Sequence, residues 1–118
     1  MEGQTFKKKE RLRLKRNFKN VFEKGGRLID NNFVIIYFRN TKDYNRIAII
    51  VNKKFGNAVI RNLIKRYIRE IYRTNKTFFP LGYDFVFIPR KELSKNFKGI
   101  DYSQIKNQIL KLVRKLEA

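Results

Sequence analysis

Arg61, Asn62, Lys65, Arg66, Arg69 and Arg73 recur at the three- and four-residue spacing that gathers side chains on one side of a helix. At about 100° per residue they fall within an arc of about 140°. Ile60, Leu63, Ile64, Tyr67, Ile68 and Ile71 take a similar arc on the opposite side. One side of such a helix enters a core, and the other holds a row of cations against a polyanion. A merely solvated face is the plainer alternative. Solvated faces usually mix signs, however, because like charges at i,i+4 repel. Here Arg61, Lys65 and Arg69 follow one another with only Glu70 to offset them, so the row reads as a phosphate-binding face. Lys53, Lys54 and Gly56-Asn57 lead into it. Asn57 is placed to cap the helix, with Gly56 easing the turn, and the same N-terminus offers backbone N–H groups to a phosphate. Those two readings are compatible.

Bond-breaking chemistry is harder to find. The chain has no histidine and no cysteine, which removes the side chain that titrates near neutrality and excludes thiolate metal sites and disulfides. The ten carboxylates are not spaced to hold a metal pair from one helix face or one strand. No catalytic residue and no metal ligand is therefore assigned. Lys and Arg number 29 against ten Asp and Glu, a formal charge of +19. Self-repulsion at that charge favours a standing polyanionic partner, with nucleic acid ahead of an anionic membrane. No run approaches 18 apolar residues and the first residues lack the apolar core of a signal peptide. A soluble, cytoplasmic protein is the expectation.

The 118 residues suffice for one domain with a modest core. Residues 1–16 read as a basic arm that orders late or only on binding. Asn17 is expected to cap a short helix carrying Phe18, Val21 and Phe22, closing near Gly25-Gly26. Phe33 to Phe38 reads as a strand. Residues 46–51 read as a second, plausibly its hairpin partner, and Tyr83 to Ile88 as a third. Asp101 with Gln104 predicts a capping box opening a C-terminal helix whose stripe is Ile105, Ile109, Leu112, Val113 and Leu116. The order is α-β-β-α-β-α with a possible extra strand near residues 27–30, an α+β layer sandwich. The apolar run from Val34 to Phe38 loads both faces of its sheet. Either helices cover both, or one face is an open platform for stacking bases.

Lys53-Lys54-x-Gly56-Asn57-Ala58-Val59-x-Arg61-Asn62-x-x-Lys65-Arg66-x-x-Arg69-Glu70 closely resembles the signature of the bacterial ribonuclease P protein subunit. Leu14-x-x-x-x-Phe18-x-x-Val21-Phe22-x-x-Gly25 resembles that family's N-terminal helix, so the likeness covers most of the chain. The resemblance implies a mixed β-sheet packed with helices in the order α-β-β-β-α-β-α, with a left-handed crossover against the usual rule. It implies a large catalytic RNA as partner, which removes 5′ leaders from precursor tRNA with Mg²⁺, while the protein itself binds no cofactor or small-molecule substrate. By resemblance Lys53, Lys54, Asn57, Arg61, Asn62, Lys65, Arg66, Arg69 and Arg73 contact RNA. The leader lies in a cleft that includes Phe18, Phe22, Val34, Ile36, Ile50, Lys54 and Arg61. Two positions depart from the family pattern. Leu63 stands where many relatives have a third basic residue, and Ile36 where some have an aromatic.

A structural RNA-binding protein of ribosomal type, without a role in tRNA processing, shares the charge and the lack of catalytic groups. A DNA-binding protein fits less well, since no second short helix is placed for helix-turn-helix. An intrinsic nuclease fits least.

Overall fold

A computed structural model describes residues 8–13 and 15–117. Its main elements are α1 (Lys15–Lys24), β1 (Gly26–Ile29), β2 (Phe33–Arg39), β3 (Arg46–Ile49), α2 (Ala58–Thr74), β4 (Tyr83–Pro89), α3 (Lys91–Lys95) and α4 (Tyr102–Arg114). The extra strand near residues 27–30 is real, and the short α3 is an element that the sequence pattern does not announce. No helix among the described residues is long and apolar enough to cross a membrane.

The four strands form one sheet in the order β1-β2-β4-β3. β1 and β4 both run antiparallel to β2, and β3 runs parallel to β4. The expected β2–β3 hairpin is therefore wrong. β4 lies between them, pairing Tyr37 with Phe85 on one side and Ile47 with Phe85 on the other. The turn residues between β2 and β3 signal a change of direction, but not which strand becomes the neighbour. Strand β3 also ends at Ile49, two residues short of expectation.

Alternation gives each face its own core. Phe33, Ile35, Ile47, Phe85 and Phe87 point to the side covered by α2 and α4, where they meet Ile64, Ile68, Ile71, Ile105, Ile109 and Leu112. Ile36 and Val86 point the other way and pack with Val21 of α1 and Leu12. Helices thus lie on both faces, but α1 is a single ten-residue helix and its cover is partial. Ile36 and Val86 are sealed, whereas Val34, Ala48 and Ile88 at its margins stay half-buried.

Helix α1 starts at Lys15, so Asn17 lies inside it and does not cap it. Its exit needs Gly25, because a Cβ there would stand 2.4 Å from the Val21 carbonyl oxygen and 2.6 Å from that of Tyr37. The other caps form as expected. The Asn57 side chain accepts from the Ile60 N–H, and Asp101 and Gln104 make both bonds of a capping box.

Candidate nucleic-acid interface

The two arcs of α2 separate in space as their spacing requires. Ile64, Ile68 and Ile71 are buried, and Ile60, Leu63 and Tyr67 pack at the margin of the same core. Leu63 therefore serves packing rather than the cationic face. On the opposite arc Asn62, Arg66 and Arg69 are exposed, and Arg61, Lys65 and Arg73 are half-buried. Tyr72, which lies outside the apolar arc assigned from spacing, is buried as well.

Glu70 is the acidic residue of this helix, and it is engaged by Arg73. The Arg73 guanidinium donates to its carboxylate at 2.6 and 3.2 Å. That hydrogen bond is the main reason the Glu70 carboxyl lies below its usual range, with Arg66 and Arg69 adding to the effect. Arg61, Lys65 and Arg69 have no ion-pair partner among the described residues. The Arg61 Nε is also a buried donor without an acceptor among the described residues, and buried donors of this kind are uncommon.

Three elements bring part of this face to a cleft of about 450 Å³. Lys65 and Arg69 of α2 form one side, Ile47 to Ile50 of β3 and its exit the floor, and Phe18 of α1 the far side. Arg11, Leu12 and Arg13 complete it. Residues 8–13 of the basic arm are docked beside β3, with the Leu12 N–H donating to the Ile47 carbonyl at 2.9 Å. Nothing in the periodicity of the sequence singles out Arg11 or Arg13, because their placement depends on this strand-edge contact.

Of the residues assigned to the leader cleft by resemblance, Phe18 and Ile50 line this one, whereas Phe22, Val34, Ile36, Lys54 and Arg61 do not. Phe22 stacks on Phe18 with ring centroids 6.4 Å apart and is 39% exposed, while Phe18 is half-buried against the core beneath α1, so the pair is a partly open aromatic surface at the edge of that core. Ile50 is 38% exposed. Val34 is half-buried, whereas Ile36 is fully covered beneath α1 and presents no surface. Lys54 lines a separate groove of about 330 Å³ with Asn52, Phe55, Ile88, Arg90 and Lys91. Lys53, between Asn52 and Lys54, is exposed, and so is Asn57 at the start of α2.

Of the ten carboxylates, several are visibly occupied by cations of the chain itself. Arg46 donates twice to buried Asp84, both at 2.7 Å, and Asn40 adds a third bond at 2.9 Å. Glu10 pairs with Lys76, and Glu92 with Lys95. Among the described residues no three His, Cys, Asp or Glu gather where a metal ion could sit.

The ribonuclease P family model matches residues 6–117. The ribonuclease P protein component of Petrotoga mobilis is 95% identical over the whole of both chains. Among solved structures, the ribonuclease P protein of Thermotoga maritima superposes with a TM-score of 0.85 at 43% identity, over 90% of this chain and 96% of that one. That of Staphylococcus aureus gives 0.78 at 31% identity, over 91% and 94%.

Proposed function

This chain belongs to the ribonuclease P protein family, as a protein subunit of an enzyme with an RNA partner, and we propose that its cleft takes the 5′ leader of precursor tRNA while the cationic arc of α2 lies against the catalytic RNA. The observation that carries the leader assignment is the make-up of the cleft. Lys65, Arg69, Arg11 and Arg13 surround an apolar floor beside Phe18. Single-stranded nucleic acid is bound by that combination, cations tracking the backbone and aromatic or apolar surface receiving bases. A fully paired duplex offers no free base faces to such a floor.

On this reading the RNA carries the chemistry with Mg²⁺, and the protein supplies binding and orientation. The absence of His and Cys from the sequence supports it, as does the engagement of Glu10, Glu70, Asp84 and Glu92 with cations of the chain. Precursor tRNA and the RNA that cuts it are both polyanions. A partner at +19 lowers their repulsion and with it the Mg²⁺ they require. The site of action is the cytoplasm.

The test is the affinity of the reconstituted holoenzyme for precursor and for mature tRNA, with and without the protein. The protein should strengthen binding of the leader-bearing form selectively. Equal strengthening of both refutes the leader cleft, and cleavage of precursor tRNA by RNA-free protein refutes a non-catalytic role.

A further inference from the structure

The arm that closes the cleft contains one buried carboxylate. Glu10 is 5% exposed, in a stretch whose other charged residues are Lys8, Lys9, Arg11 and Arg13. Its Oε1 accepts from the Lys76 Nζ at 2.7 Å and its Oε2 from the Tyr72 hydroxyl at 3.1 Å. Lys76 lies just beyond the end of α2 and Tyr72 in its last turn, so the carboxylate ties the arm to the far end of the helix whose Lys65 and Arg69 line the cleft. Two further ties flank it. The Lys9 ammonium sits 4.5 Å from the centre of the Tyr44 ring, and the Leu12 N–H donates to Ile47.

Electrostatics alone would separate these parts. Arg11 and Arg13 line the same cleft as Lys65 and Arg69, and four cations about one cleft repel in the absence of the polyanion. Burial of the Leu12 side chain against Val21, Ile36 and Val86, with the strand-like bridge to Ile47, holds one end of the arm against this repulsion. The ion pair at Glu10 adds a charge-assisted attraction between arm and body on the other side of Arg11, and its carboxylate is buried.

We propose that Glu10 is a positioning residue for leader binding. By latching the arm to Tyr72 and Lys76 it holds Arg11 and Arg13 on the cleft in the unliganded protein, so the leader meets a preorganised wall. The inference rests on the leader reading above. Glu10 touches no substrate and acts through the two arginines.

Two measurements on Glu10→Gln test it, with the exchanged pair Glu10→Lys, Lys76→Glu as rescue. In the free full-length chain, exchange of the Leu12 amide with solvent should accelerate in Glu10→Gln and return towards wild type in the rescue. In the reconstituted holoenzyme, the preference of Glu10→Gln for precursor over mature tRNA should fall. The slope of log affinity for precursor against log salt should flatten by about 0.7 for each arginine that no longer meets a phosphate, up to about 1.4, and mature tRNA should be bound as before. Unchanged amide exchange overturns the latch. Faster exchange with wild-type leader preference and salt slope makes Glu10 a stabilising contact only, which also overturns the proposal. A wild-type holoenzyme with no leader preference would instead defeat the leader reading, and this inference with it.

Discussion

Replacing Arg61, Lys65 and Arg69 together by Gln would measure what the uncompensated row on α2 does. None of the three has an ion-pair partner among the described residues, and all lie opposite the buried arc. The substitution therefore removes charge while leaving Ile64, Ile68 and Ile71 in place. Gln also keeps part of each aliphatic stem. Arg69 is exposed and Lys65 half-buried, and replacing Arg61 removes a buried donor that lacks an acceptor among the described residues, so no native pairing is lost and the melting temperature should stay near wild type. Binding should respond strongly. Each phosphate neutralised contributes about 0.7 to 0.9 to the slope of log affinity against log salt, so removing three cations flattens it by about 2.1 to 2.7. Over a doubling of salt, the ratio of wild-type to variant affinity should then shrink roughly four- to sevenfold. Filter binding or fluorescence anisotropy on the ribonuclease P RNA between 0.1 and 0.4 M salt (concentrations about those where screening lengths span a few Å to 10 Å) reads this directly. A folded variant with the wild-type slope would show that this arc does not face phosphate.

Ile64→Ala should behave in the opposite way, costing about 2–5 kcal/mol and roughly 8–20 °C of melting temperature in a chain of this size, because Ile64 is fully buried. The RNA affinity of the protein that remains folded should match wild type, and a melt without a shift would contradict the core assignment. Tyr72→Phe should change the pH profile at the alkaline end. Burial first, and then the Glu10 carboxylate, push the Tyr72 phenol well above its ordinary value of 10.0. A raised folded-state value means that the stabilisation is complete below about pH 10 and is lost as pH rises beyond it, since the unfolded chain ionises first. Wild-type stability should thus fall relative to Tyr72→Phe above that point, and denaturation curves that stay parallel through pH 11 (about one unit beyond the usual phenol value) would count against it.

What can be read from the sequence is what neighbours along the chain decide. The arcs of α2, the Asn57 cap and the Asp101–Gln104 box are all set within four residues, and each forms as read. The start of α1 is misplaced because Asn17 looks like a cap whether or not the helix has already begun at Lys15. Tyr72 escapes the apolar arc because an aromatic hydroxyl at the end of a helix is equally at home on the surface. Its burial depends on Glu10, 62 residues away. The same holds for the cleft. Lys65 and Arg69 are legible as cations on one face, but Arg11 and Arg13 join them only through the bridge to Ile47. The Arg46–Asp84 pair joins strands that are adjacent only in the folded sheet. The covering of Ile36 likewise follows from where α1 lands.

The central position of β4 has a consequence for how this chain is made. Residues 83–89 leave the ribosome after the other three described strands, yet they hydrogen-bond to β2 on one side and β3 on the other. Until they arrive, β2 and β3 have no shared partner, and the apolar arc of α2 lacks Phe85 and Phe87 to pack against. Pairings such as Arg46 with Asp84 and Phe33 with Pro89 close long loops, a topology that slows folding. The β1–β2 hairpin can form early, but β3 and the apolar arc of α2 wait for β4 in a strongly basic stretch of chain during synthesis. In a cell crowded with RNA, such a nascent chain meets polyanions before it has a fold.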